Sequence, residues 1–268
     1  MPGTVIRTEP APGVVQLTLN RPDRLNAMDT ELLADLHSEL DVLATDHATR
    51  VVVLTGAGRG FCAGLDLRDG PKVPGTEDEG RVQQGMAVQQ HIASLVPKLR
   101  GLRQPVIAAV NGAASGGGLA LALASDVRLA ADSARFNVAF IRIGLSGCDI
   151  GVSWLLPRLV GASAAFELLL TGRLIDAAEA ERIHLVSRVV PDSELLEAAL
   201  GVAAEIAANS PTGVWMTKEV MWSQLEVGSL QAGIDLENRT QIMTSMTADM
   251  GEAVMAFLEK RAPEFKRR

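Results

Sequence analysis

The stretch Pro105-Val-Ile-Ala-Ala-Val-Asn-Gly-Ala-Ala-Ser-Gly-Gly-Gly-Leu119 carries the residue pattern best suited to chemistry in this chain. A short apolar run turns at Asn111-Gly112, reaches Gly116 to Gly118, and continues to Ala124 as a segment that reads as a buried helix. A helix leaves its first four N–H groups unpaired, and its dipole adds about half a positive charge at that end. Glycines there let another molecule approach the backbone closely. One reading is tight helix–strand packing. The other is a site for a developing negative charge, such as a thioester oxygen becoming an enolate.

The second glycine-rich stretch, Gly56-Ala-Gly-Arg-Gly-Phe-Cys-Ala-Gly-Leu-Asp66, follows an apolar strand. Its spacing does not fit a G-x-G-x-x-G dinucleotide fingerprint, and Phe61-Cys62-Ala63-Gly64 is a poor helix start. Ser115, Ser146 and Ser153 lack a nucleophile-elbow context. His37, His47, His91 and His184 are scattered and read as surface or packing residues.

The elements that must position these loops alternate between strand and helix. Val14–Leu19 alternates apolar and polar residues as a half-buried strand does. Asp29 or Thr30 caps a helix whose Leu32, Leu33, Leu36 and Leu40 share one face. Val51–Thr55 reads as a buried strand, Arg68–Gly80 as a mobile surface segment, and Arg81–Leu99 as one helix. Asp126–Ala130 and Val186–Val190 are further strands, and Asp176 with Glu179 forms a capping-box-like helix start. After Asp192 only helices are expected, one opening at Ser210-Pro211. This gives an α/β core over 1–191 and a helical region over 192–268.

The composition suits a globular chain: 268 residues, 47% hydrophobic, 21% charged and no tyrosine. With aromatics at 3% and a net charge of −7, a nucleic-acid surface is not expected. Cys62 and Cys148 form no disulfide framework and no zinc spacing, which fits a reduced, cytoplasmic setting. Met1-Pro2-Gly3-Thr4 leads directly into Val5-Ile6, so no leader is expected, and no apolar run is long enough for a membrane span.

Taken together, Gly60-Phe-Cys-Ala-Gly-Leu-Asp66 and Pro105–Gly118 resemble the two signature loops of the crotonase (enoyl-CoA hydratase/isomerase) superfamily. Asn20-Arg-Pro-Asp-Arg-Leu-Asn26, Leu170-Thr-Gly-Arg173, Leu185-Val-Ser-Arg-Val189 and Phe257-Leu-Glu-Lys-Arg-Ala-Pro263 extend the resemblance along the chain, in family order. It implies a crotonase-like spiral of ββα units whose C-terminal helices make a homotrimer or a dimer of trimers. It also implies an acyl-CoA thioester as substrate, with no cofactor beyond that coenzyme A.

By motif position, the resemblance assigns the oxyanion-hole amides to Ala63 and Gly117. Gly64, Leu65 and Asp66 fall on the CoA-binding loop, where Asp66 could equally be a loop cap. Of the basic residues placed by motif to meet CoA phosphates or adenine, namely Arg21, Arg24, Lys260, Arg261 and Lys266, Arg24 and Lys260 are the expected contacts.

The family pattern breaks where hydratases place their two glutamates. Ala120 stands at the first position and Phe140 at the second, where it makes the pocket more apolar. Neither side chain can activate water or protonate carbon. Asp149 lies close to the late aspartate of dienoyl-CoA isomerases, as proton carrier or as N-cap of the helix over 151–160. Asp132 and Glu167 match no catalytic position. Double-bond isomerisation through Asp149 is therefore expected in place of water addition. An acyl-CoA-binding chain without turnover and a thioester hydrolase are the alternatives.

Overall fold

The computed structural model describes residues 3–266. Strands β1 (Val5–Ala11) and β2 (Val14–Leu19) form an antiparallel hairpin, turning at Gly13 with a φ of +71°. Helix α1 (Thr30–Thr45) follows, with the Asp29 carboxylate accepting from the Leu32 N–H at 2.9 Å. A cap of this kind contributes about 1 kcal/mol. Leu32, Leu33, Leu36 and Leu40 are buried on one face, as their spacing predicts.

The chain then repeats a two-strand unit. Strand β3 (Val51–Gly56) is followed by β4 (Gly60–Cys62), β5 (Val106–Val110) by β6 (Ala113–Ser115), and β7 (Val127–Ala131) by β8 (Arg135–Asn137). The first strand of each pair joins one sheet and the second joins another. The sheets run β1-β2-β3-β5-β7-β10 and β4-β6-β8-β9, with β9 at Ile175–Asp176 and β10 at Arg188–Val190. Apart from β1–β2 and β8–β9, the neighbours are parallel. Parallel strands buried on both faces require continuous apolar runs, and Val51–Leu54 and Val106–Val110 supply them.

The helix expected over 81–99 is two helices, α2 (Arg81–Ala93) and α3 (Leu95–Gly101), meeting at Ser94. Pro97 explains the break, because it has no N–H for the Ala93 carbonyl and its ring crowds that position. Residues 67–80 form no helix or strand and are largely exposed.

Helix α4 (Gly117–Ala124) is buried along its whole length. Helices α5 (Val152–Val160), α6 (Ala162–Thr171) and α7 (Ala177–Arg182) follow. Past residue 191, helix α8 (Leu195–Ala207) packs Leu195, Ala199 and Ala203 onto Val51, Val53, Ile107 and Ala109 of the large sheet. Helix α9 (Pro211–Gln224) is capped by Ser210 and anchored by buried Lys218, which reaches Asp126 at 2.9 Å. The helical region thus begins as part of the core. Helices α10 (Leu230–Ser245) and α11 (Ala248–Glu259) extend beyond it and leave Leu230, Met246 and Phe257 exposed. No helix among the described residues is long and apolar enough to cross a membrane.

Candidate active site

The two glycine-rich loops meet because the side-chain amides of buried Asn26 and half-buried Asn111 tie them together. Asn26, fully buried at a φ of +57°, donates to the carbonyls of Ala57 at 3.0 Å and Gly60 at 2.7 Å. Its oxygen accepts from the Arg21 N–H at 2.8 Å. Asn111 donates to Gly56 at 2.8 Å and Gly58 at 2.9 Å. The Asn20–Asn26 motif is therefore a brace for the first loop.

Glycine is required where the loops touch. A Cβ on Gly118 would lie 1.9 Å from the Cys62 carbonyl oxygen, and one on Gly64, at a φ of +91°, 2.8 Å from that of Ser115. The built Gly64 position lies 3.2 Å from the Gly117 amide nitrogen, so the first loop passes directly over the start of α4.

The hydrogen bonds change one assignment. The Ala63 N–H donates to the Leu25 carbonyl at 2.9 Å, so it is committed within the scaffold. Around the bridge between Met28 and Leu65, Met28 N–H donates to Gly64 and Asp66 N–H to Met28, which leaves the Leu65 N–H unused among the described residues. The Gly117 N–H, at the first position of α4, likewise has no acceptor among the described residues. The free amides on the two loops belong to Leu65 and Gly117, and Ala63 is corrected to a structural role. Motif position alone could not separate residues two apart, because the difference lies in which amide the Leu25 carbonyl captures.

Leu65 and Gly117 border a cavity of about 140 Å³. Ala63, Gly64, Phe140 and Asp149 line it too, as do Met28, Leu67, Ile92, Leu145 and Ile150. Asp149 is the carboxylate among the described lining residues. Its oxygen accepts from the Ile150 N–H at 2.7 Å and from the Gln89 side-chain amide on α2. The N-cap reading of Asp149 fails: Gly151, at a φ of +84°, occupies that position with no side-chain cap bond. Ala120 is wholly buried within α4 and does not line the cavity. Phe140 contacts the glycine turn, 3.3 Å from the built Gly116 Cβ.

Several expected contacts lie outside the cavity. Asp66 is buried and receives the N–H groups of Arg68 at 3.0 Å and Asp69 at 3.3 Å. Burial alone would raise its pKa, but these donors and Arg21 outweigh it and hold the carboxyl below its ordinary value. It is the loop cap. Arg21 pairs with Asp29 at 2.9 Å and Asp66 at 3.1 Å, so it clamps the loop and is not available to a phosphate. Arg24 is exposed and forms no ion pair among the described residues. Lys260 is the exposed C-cap of α11, whereas Arg261 is committed to Glu252 and Glu259. Burial pushes the Cys62 thiol up to about 12, which removes it as a nucleophile beside the loop. A wider cavity of about 660 Å³ lies under α9, where Lys218 and Asp126 neutralise each other.

Two mainly parallel sheets built from repeated strand pairs, with free amides from two loops converging on an apolar cavity, define a scaffold for stabilising a negatively charged oxygen. The family model described as enoyl-CoA hydratase/isomerase matches residues 9–268. A probable enoyl-CoA hydratase of Mycobacterium tuberculosis is 46% identical over 262 residues, spanning 97% of this chain and 92% of the relative. A crystal structure of a probable enoyl-CoA hydratase/isomerase from Mycobacterium abscessus superposes with a TM-score of 0.93 at 40% identity, each chain covered to 99%. A monofunctional enoyl-CoA isomerase from M. smegmatis is 45% identical, with a TM-score of 0.73 over 86% of this chain and 98% of that one. The chain belongs to the enoyl-CoA hydratase/isomerase family and has its crotonase-like fold.

Proposed function

We propose that this family member shifts the double bond of an enoyl-CoA thioester by moving one proton, with the thioester oxygen held by the amides of Leu65 and Gly117. The observation that carries the reading is that Asp149 is the carboxylate on the cavity wall, while Ala120 and Phe140 occupy the places of the family's hydratase acids. Asp149 takes a proton from the α-carbon of a 3-enoyl thioester, and the electron pair delocalises onto the oxygen at the two amides. Return of that proton to the γ-carbon moves the double bond into conjugation. One carboxylate suffices for this shuttle, whereas hydration needs a group to activate water and another to protonate carbon. The M. smegmatis isomerase supports this choice, and water addition is the second reading, supported by the hydratase names of other relatives.

Further assignments rest on the same reading. Arg24 and Lys260 meet the phosphates of coenzyme A, as exposed cations at motif positions. The apolar faces of α10 and α11, including Ile242, Met243 and Leu258, form trimer contacts. The setting is cytoplasmic and the reaction uses no cofactor beyond the substrate's coenzyme A.

The test is a paired assay with trans-3-hexenoyl-CoA and crotonyl-CoA. Isomerisation of the first should exceed hydration of the second, and Asp149→Asn should lower it by at least about 100-fold, with thioester binding intact. Hydration as fast as isomerisation, or an Asp149→Asn variant of wild-type rate, contradicts the proposal.

A further inference from the structure

We infer that Gln89 is a positioning residue that orients the Asp149 carboxylate, a role that rests on Asp149 being the proton carrier. Asp149 lies on the loop that precedes α5, and its local partner is the N–H of the adjacent Ile150. Ile150 has a φ of +35°, a conformation that a β-branched residue adopts only at a cost. A bond to the next residue moves with the loop and does not fix the carboxylate against the rest of the protein. The Gln89 Nε2–H supplies the tie from outside, reaching Asp149 from α2 across 60 residues of sequence.

Helix α2 is itself held at that level. Gln89 and Ile92, three residues apart on one helix face, both border the cavity. Between them, His91 stacks on His37 of α1 with ring centroids 4.2 Å apart. The His37 Nε2–H donates to the His91 carbonyl at 3.0 Å. The frame runs from the core through α1 and α2 to Gln89, and from there to the carboxylate.

The residue type suits the task. A side-chain amide offers a donor and an acceptor, so it can bond the carboxylate or the carboxylic acid that forms when the proton is taken. A lysine or arginine there would favour the anion alone and oppose the intermediate.

The test is a double-mutant cycle with trans-3-hexenoyl-CoA, using Gln89→Met, Asp149→Asn and the double variant. Methionine keeps the length and helix propensity of glutamine at this exposed position but cannot donate. Loss of a hydrogen bond to a charged group predicts a kcat about tenfold lower for Gln89→Met, with KM changed less than about twofold. In the Asp149→Asn background the same substitution should change kcat less than about twofold, since the proton carrier that Gln89 orients is already gone, although the asparagine oxygen can still accept its hydrogen bond. A wild-type kcat for Gln89→Met overturns the inference, as does an undiminished tenfold effect in the Asp149→Asn background. A wild-type rate for Asp149→Asn alone removes the proton carrier, and the positioning role with it. A slow Asp149→Asn beside a fast Gln89→Met removes only the role of Gln89.

Discussion

Replacing Gly118 and Gly117 separately with alanine should damage the protein in different ways. On Gly118 the new Cβ would sit 1.9 Å from the Cys62 carbonyl oxygen and 2.7 Å from its carbon. Ordinary C···O contacts begin near about 3.3 Å, so β4 would have to retreat by roughly 1.4 Å. That strand is pinned by its parallel pairing with β6. Overpacking against fixed backbone belongs at the upper end of the usual range, about 3 kcal/mol. For a domain of this size that lowers Tm by about 6–12 °C. On Gly117 the Cβ would meet the Met28 terminal methyl at 2.2 Å, with Ile150 and Gly64 at 3.5 and 3.6 Å. A flexible side-chain end can swing away, and alanine gains helix propensity, so Tm should fall less than about 4 °C. The displaced Met28 and the new methyl enter the cavity, however, and kcat/KM should fall at least about tenfold. Thermal unfolding and steady-state kinetics on both variants measure this. A Gly117→Ala variant with wild-type kcat/KM, or one destabilised as much as Gly118→Ala, would refute the reasoning.

Three other outcomes follow from buried groups. Lys218→Met leaves Asp126 with the Trp222 and Val106 N–H groups and the field of Arg128 but without its ion-pair partner, and chemical denaturation should register a loss of about 3 kcal/mol. Burial lowers the pKa of His37, so at acidic pH the folded chain binds fewer protons there than the unfolded chain. Stability should therefore fall as pH drops below about 6.5, and His37→Leu should flatten that part of the profile; an unchanged slope would exclude His37 as its source. Exposed Cys148 should react with a thiol reagent in the native state and buried Cys62 only on unfolding, as mass spectrometry of the labelled chain can read.

Much of the scaffold was legible because it rests on local signals. The Asp29 cap, the Ser210-Pro211 helix start and the apolar strands each follow from residues within one turn or one strand. The glycine run pointed to the opening of α4 for the same reason. What lay beyond reach were pairings across the chain. Ala63 and Leu65 are equally plausible donors until the Leu25 carbonyl, nearly forty positions earlier, takes one of them. Arg21 looked available to a phosphate until the fold placed Asp29 and Asp66 on either side of it. Gln89 lies in a polar stretch of α2 with no local motif, and only the fold brings it to Asp149. The break at Ser94 splits the single helix expected over 81–99, although its cause, Pro97, is local and lies in the sequence.

The central claim is that the amides of Leu65 and Gly117 hold the thioester oxygen and that Asp149 faces the carbon chain beside it. A crystal structure with a non-reactive acyl-CoA analogue tests it most directly. The account predicts the thioester oxygen within about 3.1 Å of both amide nitrogens, and the Asp149 carboxylate about 3–3.5 Å from the α- or γ-carbon. An oxygen bound to the Ala63 amide, or an Asp149 carboxylate turned away from the acyl chain, would contradict it.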